Sequence, residues 1–425
     1  MRVSIKRASI AFVAGVLFFA SVQQTILTAT ADAAYKVTSG VTFNNPYGTK
    51  SQRMAILNKV YGAIDATKKG HVVRIVTYSI RDAQATKKLI AAHKRGVIVQ
   101  VIVSDQLLKK ADEKDDNDPA KPLVDLIKAL GTKTVTNNSR SFVKVCKNSC
   151  ASQYSESSVH SKIYMFSTAG SSKRVVMSAS SNLSAGHTYA WNNMYTAVGN
   201  EILYDELVEN FYEMVREPKD ADLYRNIAVS KTMRLYTFPR NTDGLDDDMN
   251  YTMLEKVRCT GAASGYGVKG KTALDFAMFK WTSNRSAVAE KLRSLADSGC
   301  RVRVVTDKAN FDTAILRILT APKNGKASTI MVKDGYKKQG KIERYVHHKY
   351  ITINGYYVDP DYSDADNRRS KIVFTGSPNL SSTGLRHNNE VLLRLRSASV
   401  HKSFTSNFET IYNKHSKTFK YVDPN

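Results

Sequence analysis

The sequence predicts an α/β protein in which one structural unit occurs twice. The first observation behind this prediction is that the tripeptide His-Ser-Lys at residues 160–162 recurs as His-His-Lys at residues 347–349. The second is that each tripeptide is followed by a short apolar stretch and then by Ser-x-Asn-Leu-Ser, at residues 180–184 and 377–381. Short patterns arise by chance, but two copies in corresponding places indicate a duplicated unit with one site formed by both halves.

Both halves carry a strand–helix–strand pattern before the tripeptide. In the first half, apolar runs at residues 72–79 and 97–103 enclose a helical segment that ends with Gly96. In the second half, the runs at residues 273–279 and 300–305 enclose a segment with apolar residues at helical spacing. A glycine after the last helical turn, followed by a β-branched run, ends a helix and starts a strand. This order predicts a right-handed crossover and a mainly parallel sheet in each half.

The tripeptides themselves are predicted to lie on strands, at residues 159–166 and 345–353. Because side chains alternate between the two faces of a strand, the first histidine and the lysine of each tripeptide share a face. His348 then points away and is assigned a structural role. The Asn-Gly pair at residues 354–355 predicts a hairpin turn after the second of these strands.

The second copy is longer than the first between its lysine and its asparagine, and the extra residues fall in the aspartate-rich segment 359–366. Clustered aspartates can bind calcium, but this segment lacks the turn glycine and the closing glutamate of a calcium loop. We therefore predict a solvated loop here, and the same prediction holds for the acidic residues 112–118.

The first residues are typical of an export signal. A basic start is followed by an apolar run at residues 8–22 and by a small-x-small pattern at residues 31–33. A membrane anchor is the rival interpretation, but the run is short for a bilayer span. We predict a signal peptide over residues 1–33, a first half over residues 34–225, a second half over residues 226–425, and secretion to the extracellular space.

The cysteines Cys146, Cys150, Cys259 and Cys300 form an even set in a chain predicted to be exported, which favours two disulfides. We predict that Cys146 pairs with Cys150 and that Cys259 pairs with Cys300, so that each pair lies within one half. The rival interpretation is a zinc site, but Cys-x-x-x-Cys followed by two distant single cysteines is a poor ligand set.

The formal net charge of +25 raises the local concentration of anions around the protein. Nucleic acid, anionic lipid and a cell-wall polymer all fit this charge, which does not choose between them. Solubility outside the cell accounts for the charge equally well.

The tripeptides and the asparagine turns resemble the phospholipase D superfamily, whose mark is His-x-Lys-x-x-x-x-Asp followed by Gly-Ser-x-Asn, present twice. The resemblance spans about residues 41–412, in both halves. It implies two α/β/α sandwich halves with mainly parallel or mixed sheets, packed about a pseudo-twofold axis with the paired motifs at their interface. It does not specify the substrate, since phospholipases, nucleases and phosphatidyl transferases share these motifs.

The chain departs from this family pattern at three places. The motif aspartate, which is mainly structural in the family, is replaced by Ser167 in the first copy and by Asn354 in the second. The glycine before Ser-x-Asn is Ala179 in the first copy. The acidic residue that orients the histidine of its own copy in the family is Glu390 in the second half, whereas the matching Met194 supplies none. We therefore expect an asymmetric site.

The resemblance also implies the chemistry of that site. His160 is expected to be the nucleophile that forms a phosphohistidine, and His347 the acid/base that protonates the departing alcohol. Glu390 is expected to stabilise the protonated form of His347. No metal or other cofactor is expected. The remaining candidates, which hold the phosphate oxygens or support the turns, are Lys162, Lys349, Asn182, Asn379, Ser180 and Ser377.

Histidines outside the tripeptides receive a structural interpretation, because a lone histidine is more often packed than catalytic. These are His71, His93, His187, His401 and His415. The aromatic residues Trp191, Tyr356 and Tyr357 are expected either in the core or at the rim of a lipid-binding pocket.

Our leading hypothesis is a secreted phospholipase D that hydrolyses glycerophospholipids to phosphatidate and a free head-group alcohol. The first alternative is a secreted metal-independent nuclease, which the charge favours because phosphate contacts dominate nucleic-acid affinity. The second is a catalytically impaired protein that binds anionic ligands; the missing acidic residue at Met194 favours it, and the two complete tripeptides argue against it. The expected partner is a phospholipid or membrane surface, or else nucleic acid. The chain is expected to be a monomer with no obligatory protein partner.

Overall fold

In this computed structural model, the described residues are 1, 35–110, 118–218, 222–242 and 244–419. The described residues from Tyr35 onwards belong to one compact unit. Apart from its first residue, the predicted signal peptide over residues 1–33 lies outside the described residues, and so does most of the acidic segment 112–118. Within the described ranges, no helix is both long and apolar enough to cross a bilayer.

Among the described residues, the first half of the chain forms a seven-stranded mixed sheet. In chain order the strands of this half are β1 (Gly40–Phe43), β2 (Val72–Thr77), β3 (Ile98–Ser104), β4 (Phe142–Cys146), β5 (Ile163–Ala169), β6 (Ser172–Ala179), β7 (Ala190–Trp191) and β8 (Asn193–Val198). Across the sheet they follow the order β1-β8-β6-β5-β2-β3-β4, and β7 lies outside it.

The second half forms a larger mixed sheet. Its strands are β9 (Arg225–Ser230), β10 (Met233–Phe238), β11 (Val257–Arg258), β12 (Ala273–Met278), β13 (Arg301–Thr306), β14 (Met331–Asp334), β15 (Lys337–Gln339), β16 (Ile342–Val346), β17 (Lys349–Tyr357), β18 (Ser370–Gly376), β19 (Glu390–Arg396) and β20 (Lys417–Thr418). The main order is β20-β14-β13-β12-β17-β18-β19-β10-β9, with β11 beside β17. A small third sheet, β15-β16-β7, joins the two halves.

The two large sheets repeat one plan. The order β10-β19-β18-β17-β12-β13-β14 in the second half matches β1-β8-β6-β5-β2-β3-β4 in the first, strand for strand. In both halves the central strand pairs in parallel with the strand that follows the crossover helix, β2 with β3 and β12 with β13. It pairs antiparallel with the strand that follows the tripeptide, β5 or β17. The repeat confirms the predicted duplicated α/β fold.

Helices cover the sheets in layers and create three buried clusters. The helices are α1 (Lys50–Arg53), α2 (Ala55–Ala66), α3 (Ala83–Lys94), α4 (Lys121–Leu130), α5 (Glu201–Arg216), α6 (Met249–Glu255), α7 (Ser286–Asp297), α8 (Thr313–Thr320), α9 (Asp364–Asn367), α10 (Ser382–Arg386) and α11 (Ala398–Lys414). One cluster joins α2, α3 and α4 to the first sheet, and another joins α6, α7 and α8 to the second. The third combines α5, α11 and residues of both sheets, so the halves share a core. Their division at residue 225 stays a prediction.

The strands predicted through the tripeptides are wrong at the histidines. β5 begins only after the first tripeptide, and His347 and His348 of the second tripeptide separate β16 from β17, which begins at Lys349. The physical reason is that the backbone here bonds to the opposite half instead of its own sheet. The N–H of His160 donates to the carbonyl of Asn389 at 3.0 Å, and the N–H of His347 donates to that of Trp191 at 3.0 Å.

The hairpin predicted at residues 354–355 is also wrong, because β17 runs through both residues. Gly355 has a φ of 138°, which favours glycine. A Cβ on Gly355 would lie 2.6 Å from Oγ1 of Thr272, so the glycine allows the backbone segment at Thr272 to approach β17 closely. An Asn-Gly pair that is typical of a turn therefore serves strand packing.

The two replacements of the family aspartate both bind backbone. Oγ of Ser167 accepts a hydrogen bond from the N–H of Val72 at 2.9 Å. Oδ1 of Asn354 accepts one from the N–H of Gly267 at 3.1 Å. Each side chain supplies an oxygen acceptor to a backbone donor of its own half, which is a structural role.

The aspartate-rich segment 359–366 is more ordered than the predicted solvated loop. Its last residues begin α9, and Asp359 at its start is only 2 % exposed. Oδ2 of Asp359 forms an ion pair with Arg394 of β19 at 2.7 Å. A buried guanidinium needs such a partner, and this need explains why one aspartate of the segment faces the protein.

Both predicted disulfides are present, Cys146–Cys150 and Cys259–Cys300. The second connects the end of β11 to the start of β13 and closes the longer loop. The first holds the segment after β4, in which the N–H of Cys150 donates to Oδ1 of Asn389 at 2.8 Å. A disulfide of the first half therefore supports a residue of the second.

We expect the two disulfides to differ in their effect on stability. Replacing Cys259 and Cys300 by alanine should lower the free energy of unfolding by about 4 kcal/mol, because it opens a loop with a sequence separation of 41. The control replaces Cys146 and Cys150, whose separation is 4, and should cost about 2 kcal/mol. Denaturant unfolding of the oxidised proteins measures both values, and equal losses would contradict the loop-entropy argument.

Candidate active site

The two tripeptides lie where the halves join. The carbonyl of Asn389, just before β19, accepts hydrogen bonds from the N–H groups of His160 (3.0 Å) and Ser161 (2.8 Å). The second tripeptide is held by the first half in the same way. β16, which precedes it, pairs with β7, and the N–H of His347 donates to the carbonyl of Trp191. Each tripeptide is therefore held by the backbone of the opposite half.

Both lysines of the tripeptides are buried. Lys162 is 0 % exposed and Lys349 is 1 % exposed. Nζ of Lys349 donates to the carbonyl of His347 at 2.7 Å, and Nζ of Lys162 donates in the same way to the carbonyl of His160. Each ammonium group is therefore fixed against the histidine of its own tripeptide.

The charges of the two lysines act on each other. Burial lowers the pKa of Lys162 to about 7, although Glu390 opposes the shift. Burial and the charge of Lys162 together lower the pKa of Lys349 well below its usual value. A bound anion would counter both shifts, because a nearby opposite charge favours the protonated ammonium. The lysines thus form one site for an anionic group, with one member from each half.

The carboxylate of Glu390 contacts His160 and not His347. Its Oε1 accepts a hydrogen bond from Nδ1 of His160 at 2.7 Å, and the residue is 1 % exposed. Nδ2 of Asn388 donates to the same oxygen at 3.2 Å. The prediction that Glu390 stabilises a protonated His347 is therefore wrong. The reason is that the chain at the start of β19 lies against the first half, so the carboxylate of Glu390 reaches the histidine of that half.

The contact with Glu390 fixes the tautomer of His160. An ionised carboxylate only accepts, so Nδ1 carries the proton and Nε2 keeps a lone pair. Burial lowers the pKa of His160, Glu390 opposes this shift, and Lys162 adds to it. The His160 side chain is 16 % exposed, so its ring is open to an incoming molecule. A neutral, partly exposed imidazole with a free basic nitrogen is suited to nucleophilic attack.

An amide takes the place of the carboxylate at His347. Nδ1 of His347 lies 2.9 Å from Oδ1 of Asn192. Nδ2 of Asn192 donates to the carbonyls of His187 and Ala190, both at 3.1 Å, so the amide must present its oxygen to the ring. Nδ1 of His347 therefore carries the proton. Sequence reasoning assigned Glu390 to this histidine instead, because it considered acidic residues only.

The environments of the two histidines differ in charge. His160 and Lys162 outweigh the effect of burial and lower the pKa of Glu390, which keeps this carboxylate ionised. Burial lowers the pKa of His347 well below its usual value, and Lys349 adds to the shift. The neutral amide of Asn192 does not counter this lowering of the pKa of His347. The site is asymmetric, as expected from the sequence, but the carboxylate of Glu390 lies beside His160 instead of His347.

Asn44 holds the amide that orients His347, and sequence reasoning missed it. Its Oδ1 accepts a hydrogen bond from the N–H of Asn192 at 2.7 Å, and its Nδ2 donates to the carbonyl of Ala190 at 2.8 Å. Asn44 is 3 % exposed. It follows β1, far from every motif, and no sequence pattern distinguishes it.

The two predicted serines support the turns. Oγ of Ser180 donates to Oδ1 of Asn192 at 2.9 Å and thereby adds to the fixation of that amide. Oγ of Ser377 accepts from the N–H of Val391 at 3.1 Å. Both hydroxyls bind protein groups, so the predicted contact of these serines with substrate stays a prediction.

The two predicted asparagines retain capacity for a ligand. Oδ1 of Asn182 accepts from Oγ1 of Thr77 at 3.2 Å, which directs the oxygen of this amide towards the protein. Oδ1 of Asn379 is buried and has no hydrogen-bond partner among the described residues. Amide groups of this kind can donate to phosphate oxygens.

His187 lies in the site, although the sequence interpretation placed it among the packed residues. Its ring centroid is 4.6 Å from that of His347, and its Nδ1 accepts from the N–H of Asn182 at 3.1 Å. The available signal was its position shortly after the first asparagine turn. The matching position of the second copy is Gly384, so His187 was interpreted as a lone, packed histidine.

Other histidines that were expected to be packed have their contacts outside the site. His93 bonds to Ser141 at 2.9 Å, and the ring of His415 stacks on Tyr47 with centroids 4.1 Å apart. His348 is fully buried, and its Nδ1 lies 2.9 Å from Oδ1 of Asn193, away from the tripeptide face. In the described part of the chain, no group of three or more His, Cys, Asp or Glu side chains could hold a metal ion.

Aromatic residues line the histidines in a way that the sequence did not reveal. Tyr78, the residue after β2, lies with its ring centroid 5.9 Å from that of His160. Phe279, the residue after β12, lies 4.7 Å from His347 by the same measure. Both follow the carboxyl end of a central strand, where ligands bind in open α/β sheets. Of the aromatics named from the sequence, Trp191 and Tyr357 are 1 % and 2 % exposed and belong to the core.

The duplicated sheets and the paired tripeptides define a phosphodiesterase-like fold. The family model for the cardiolipin synthase, PLD-like domain, matches residues 61–215 and 269–412. These segments make up more than half of the chain, so the chain belongs to the phospholipase D superfamily. Members of this superfamily act as phosphodiesterases or phosphotransferases.

Solved structures show the same fold at low sequence identity. Phosphatidylserine synthase from Haemophilus influenzae Rd KW20 aligns with a TM-score of 0.54 and 11% identity, over 91% of this chain and 89% of that one. Polyphosphate kinase from Porphyromonas gingivalis aligns with a TM-score of 0.54 and 11% identity, over 91% of this chain. The chain spans about half of the kinase, 53% of its length. No curated protein matches the chain.

Glu390→Gln removes the carboxylate charge but keeps an oxygen that can accept from Nδ1 of His160. We expect kcat/KM on bis(p-nitrophenyl) phosphate to fall about 10²- to 10⁴-fold. The acid limb of its pH profile should move to lower pH, because Glu390 raises the pKa of His160 and a protonated His160 cannot attack. A shift of the alkaline limb alone would instead assign Glu390 to His347.

Proposed function

We propose that this protein is a secreted phospholipase D that hydrolyses glycerophospholipids to phosphatidate and a free head-group alcohol through a phosphohistidine. The observation that carries the proposal is the pair of imidazoles, one from each half, whose Nδ1 atoms are bound by Glu390 and Asn192. This arrangement leaves Nε2 of both rings for chemistry. One imidazole that attacks phosphorus and one that gives and takes a proton are what a two-step displacement requires.

In the first step, Nε2 of His160 attacks phosphorus, a P–N bond forms, and the P–O bond to the head-group alcohol breaks. Nε2 of His347 gives its proton to the leaving oxygen. In the second step, water gives a proton to Nε2 of His347, its oxygen attacks phosphorus, and the P–N bond breaks. Phosphatidate leaves and His160 returns to its neutral form. An alcohol in place of water would yield the transfer product.

The remaining residues stabilise charge. Lys162 and Lys349 would hold the equatorial oxygens, where charge accumulates in the transition state, and Asn182 and Asn379 would donate to the same oxygens. The anionic substrate also favours the protonated form of His347, because its charge counters the lysines that lower the pKa. The proposal requires no metal or other cofactor.

A phospholipid substrate is supported by two names among the similar proteins, cardiolipin synthase for the family and phosphatidylserine synthase for the structure. A nuclease is the second candidate, and the net charge of +25 favours it. Export is supported by the signal pattern at the start of the sequence and by the two disulfides, which form in oxidising compartments.

His160→Gln should abolish the covalent intermediate, because no nitrogen lone pair remains to attack phosphorus. We expect wild-type protein, denatured during turnover of phospholipid radiolabelled in its phosphate, to retain label, and His160→Gln to retain none. His347→Gln is the matched control and should still take up label, since it loses the acid and not the nucleophile. Label on the His160→Gln protein would reverse the roles of the two histidines.

The substrate class is tested by offering phosphatidylcholine liposomes, with and without ethanol, and plasmid DNA, all in EDTA. Release of choline with formation of phosphatidylethanol is the expected result. Nicking of the plasmid without choline release would select the nuclease. Inertness towards both substrates would indicate the third hypothesis, a binding protein that has lost catalysis.

A further inference from the structure

A third imidazole lies in the site, and the two-step reaction gives it no role. His187 belongs to the 3₁₀ turn Ala185–Tyr189, which follows the first asparagine turn. Its ring plane is inclined at 53° to that of His347, with centroids 4.6 Å apart. Lys162, Lys349 and His160 also act on it electrostatically. His187 is therefore close to both tripeptides, although it belongs to neither.

The hydrogen bond at Nδ1 fixes the tautomer of His187. The N–H of Asn182 donates to this nitrogen at 3.1 Å, and a backbone N–H cannot accept. Nδ1 is therefore the unprotonated nitrogen, and the proton of the neutral ring is on Nε2. Burial, Lys349 and Lys162 lower the pKa of His187 to about 3, so the ring stays neutral. His187 thus offers one N–H donor of fixed direction and no charge.

At the position that matches His187, the second half has Gly384, which carries no side-chain donor. After its asparagine turn, Oγ of Ser381 accepts from the N–H of Gly384 at 3.1 Å and begins the short helix α10. The 3₁₀ turn of the first half takes the place of this helix and brings His187 to the ring of His347. The extra donor therefore serves the side of the site where the head-group alcohol would depart.

We propose that His187 is a further catalytic residue, whose Nε2–H donates a hydrogen bond to an oxygen of the bound phosphoryl group on the His347 side. A neutral donor suits this place, because a third positive charge beside two buried lysines would be strongly unfavourable. The donor would also add to the stabilisation of charge on the phosphoryl oxygens. The class of substrate assumed here rests on the proposed function. The hydrogen bond from Nε2–H of His187 is tested separately, with inorganic phosphate.

The simpler explanation is that His187 only supports the turn at Asn182, and two substitutions separate the explanations. His187→Asn places an amide oxygen near the position of Nδ1, so it keeps the acceptor for Asn182 and loses the donor. His187→Gln places its amide nitrogen near the position of Nε2, so it keeps the donor and loses the acceptor. The two variants are therefore matched controls for each other.

The experiment measures kcat and KM for bis(p-nitrophenyl) phosphate, the Kd of inorganic phosphate by calorimetry, and Tm for wild type and both variants. We expect His187→Asn to keep its Tm, to lower kcat about 10- to 100-fold and to weaken phosphate binding by a similar factor, as for loss of one hydrogen bond to a charged group. We expect His187→Gln, which keeps a donor near Nε2, to lose less than tenfold in kcat and in phosphate affinity, less than His187→Asn, and to melt at a lower temperature.

Wild-type values for His187→Asn, with or without a loss in His187→Gln, would overturn the proposal. If both variants lose activity, phosphate binding decides: weaker binding by a folded His187→Asn supports the donor, and unchanged binding overturns it. If His187→Asn does not fold, a loss of phosphate affinity of less than tenfold in His187→Gln supports the donor, and a larger loss overturns it. A wild-type protein that binds phosphate without cleaving phosphodiesters would refute the proposed function, while phosphate affinity still decides the role of His187.

Discussion

Each tripeptide histidine takes its Nδ1 partner from the opposite half of the chain, and the rest of the site depends on this exchange. Glu390 of the second half binds His160, and Asn192 of the first half binds His347. Neither half alone can therefore fix the tautomer of its own histidine. The core that α5, α11 and both sheets share supplies apolar burial that holds the halves together. Docking of the halves and assembly of the site are thus one event.

Duplication accounts for the matching strand orders, and sequence differences between the two copies account for the different surroundings of the two histidines. The matching starts of β19 and β8 differ in one decisive position, Glu390 in the second half and Met194 in the first. In the proposed reaction, the carboxylate beside His160 would compensate the positive charge that its ring gains when a P–N bond forms. The amide beside His347 would leave that imidazolium a stronger acid, which suits donation to a poor leaving group. The same backbone plan therefore places the two imidazoles in different electrostatic environments.

The sequence predicted the features that depend on local pattern: the strand–helix–strand units, the duplication and both disulfides. It failed where tertiary contacts choose the partner. No spacing rule reveals that Glu390 crosses to the other half, or that Asn44 fixes an amide far along the chain. Periodicity also could not place His187, because a ring that faces a cleft and one that faces a core leave the same pattern. Gly355 was assigned to a turn, although it serves the close approach of Thr272.

The charge balance of the site argues for the size and sign of its ligand. Two buried ammonium groups and three imidazoles share one buried carboxylate. Burial lowers the pKa of both Lys162 and Lys349, and the charge of Lys162 adds to the shift of Lys349. Burying unpaired charge is costly, so a bound phosphate-sized anion would favour the protonated lysines. All phosphodiesters carry that anion, and a choice between lipid and nucleic acid therefore requires contacts outside the lysine pair. The rings of Tyr78 and Phe279 beside the histidines can supply such contacts.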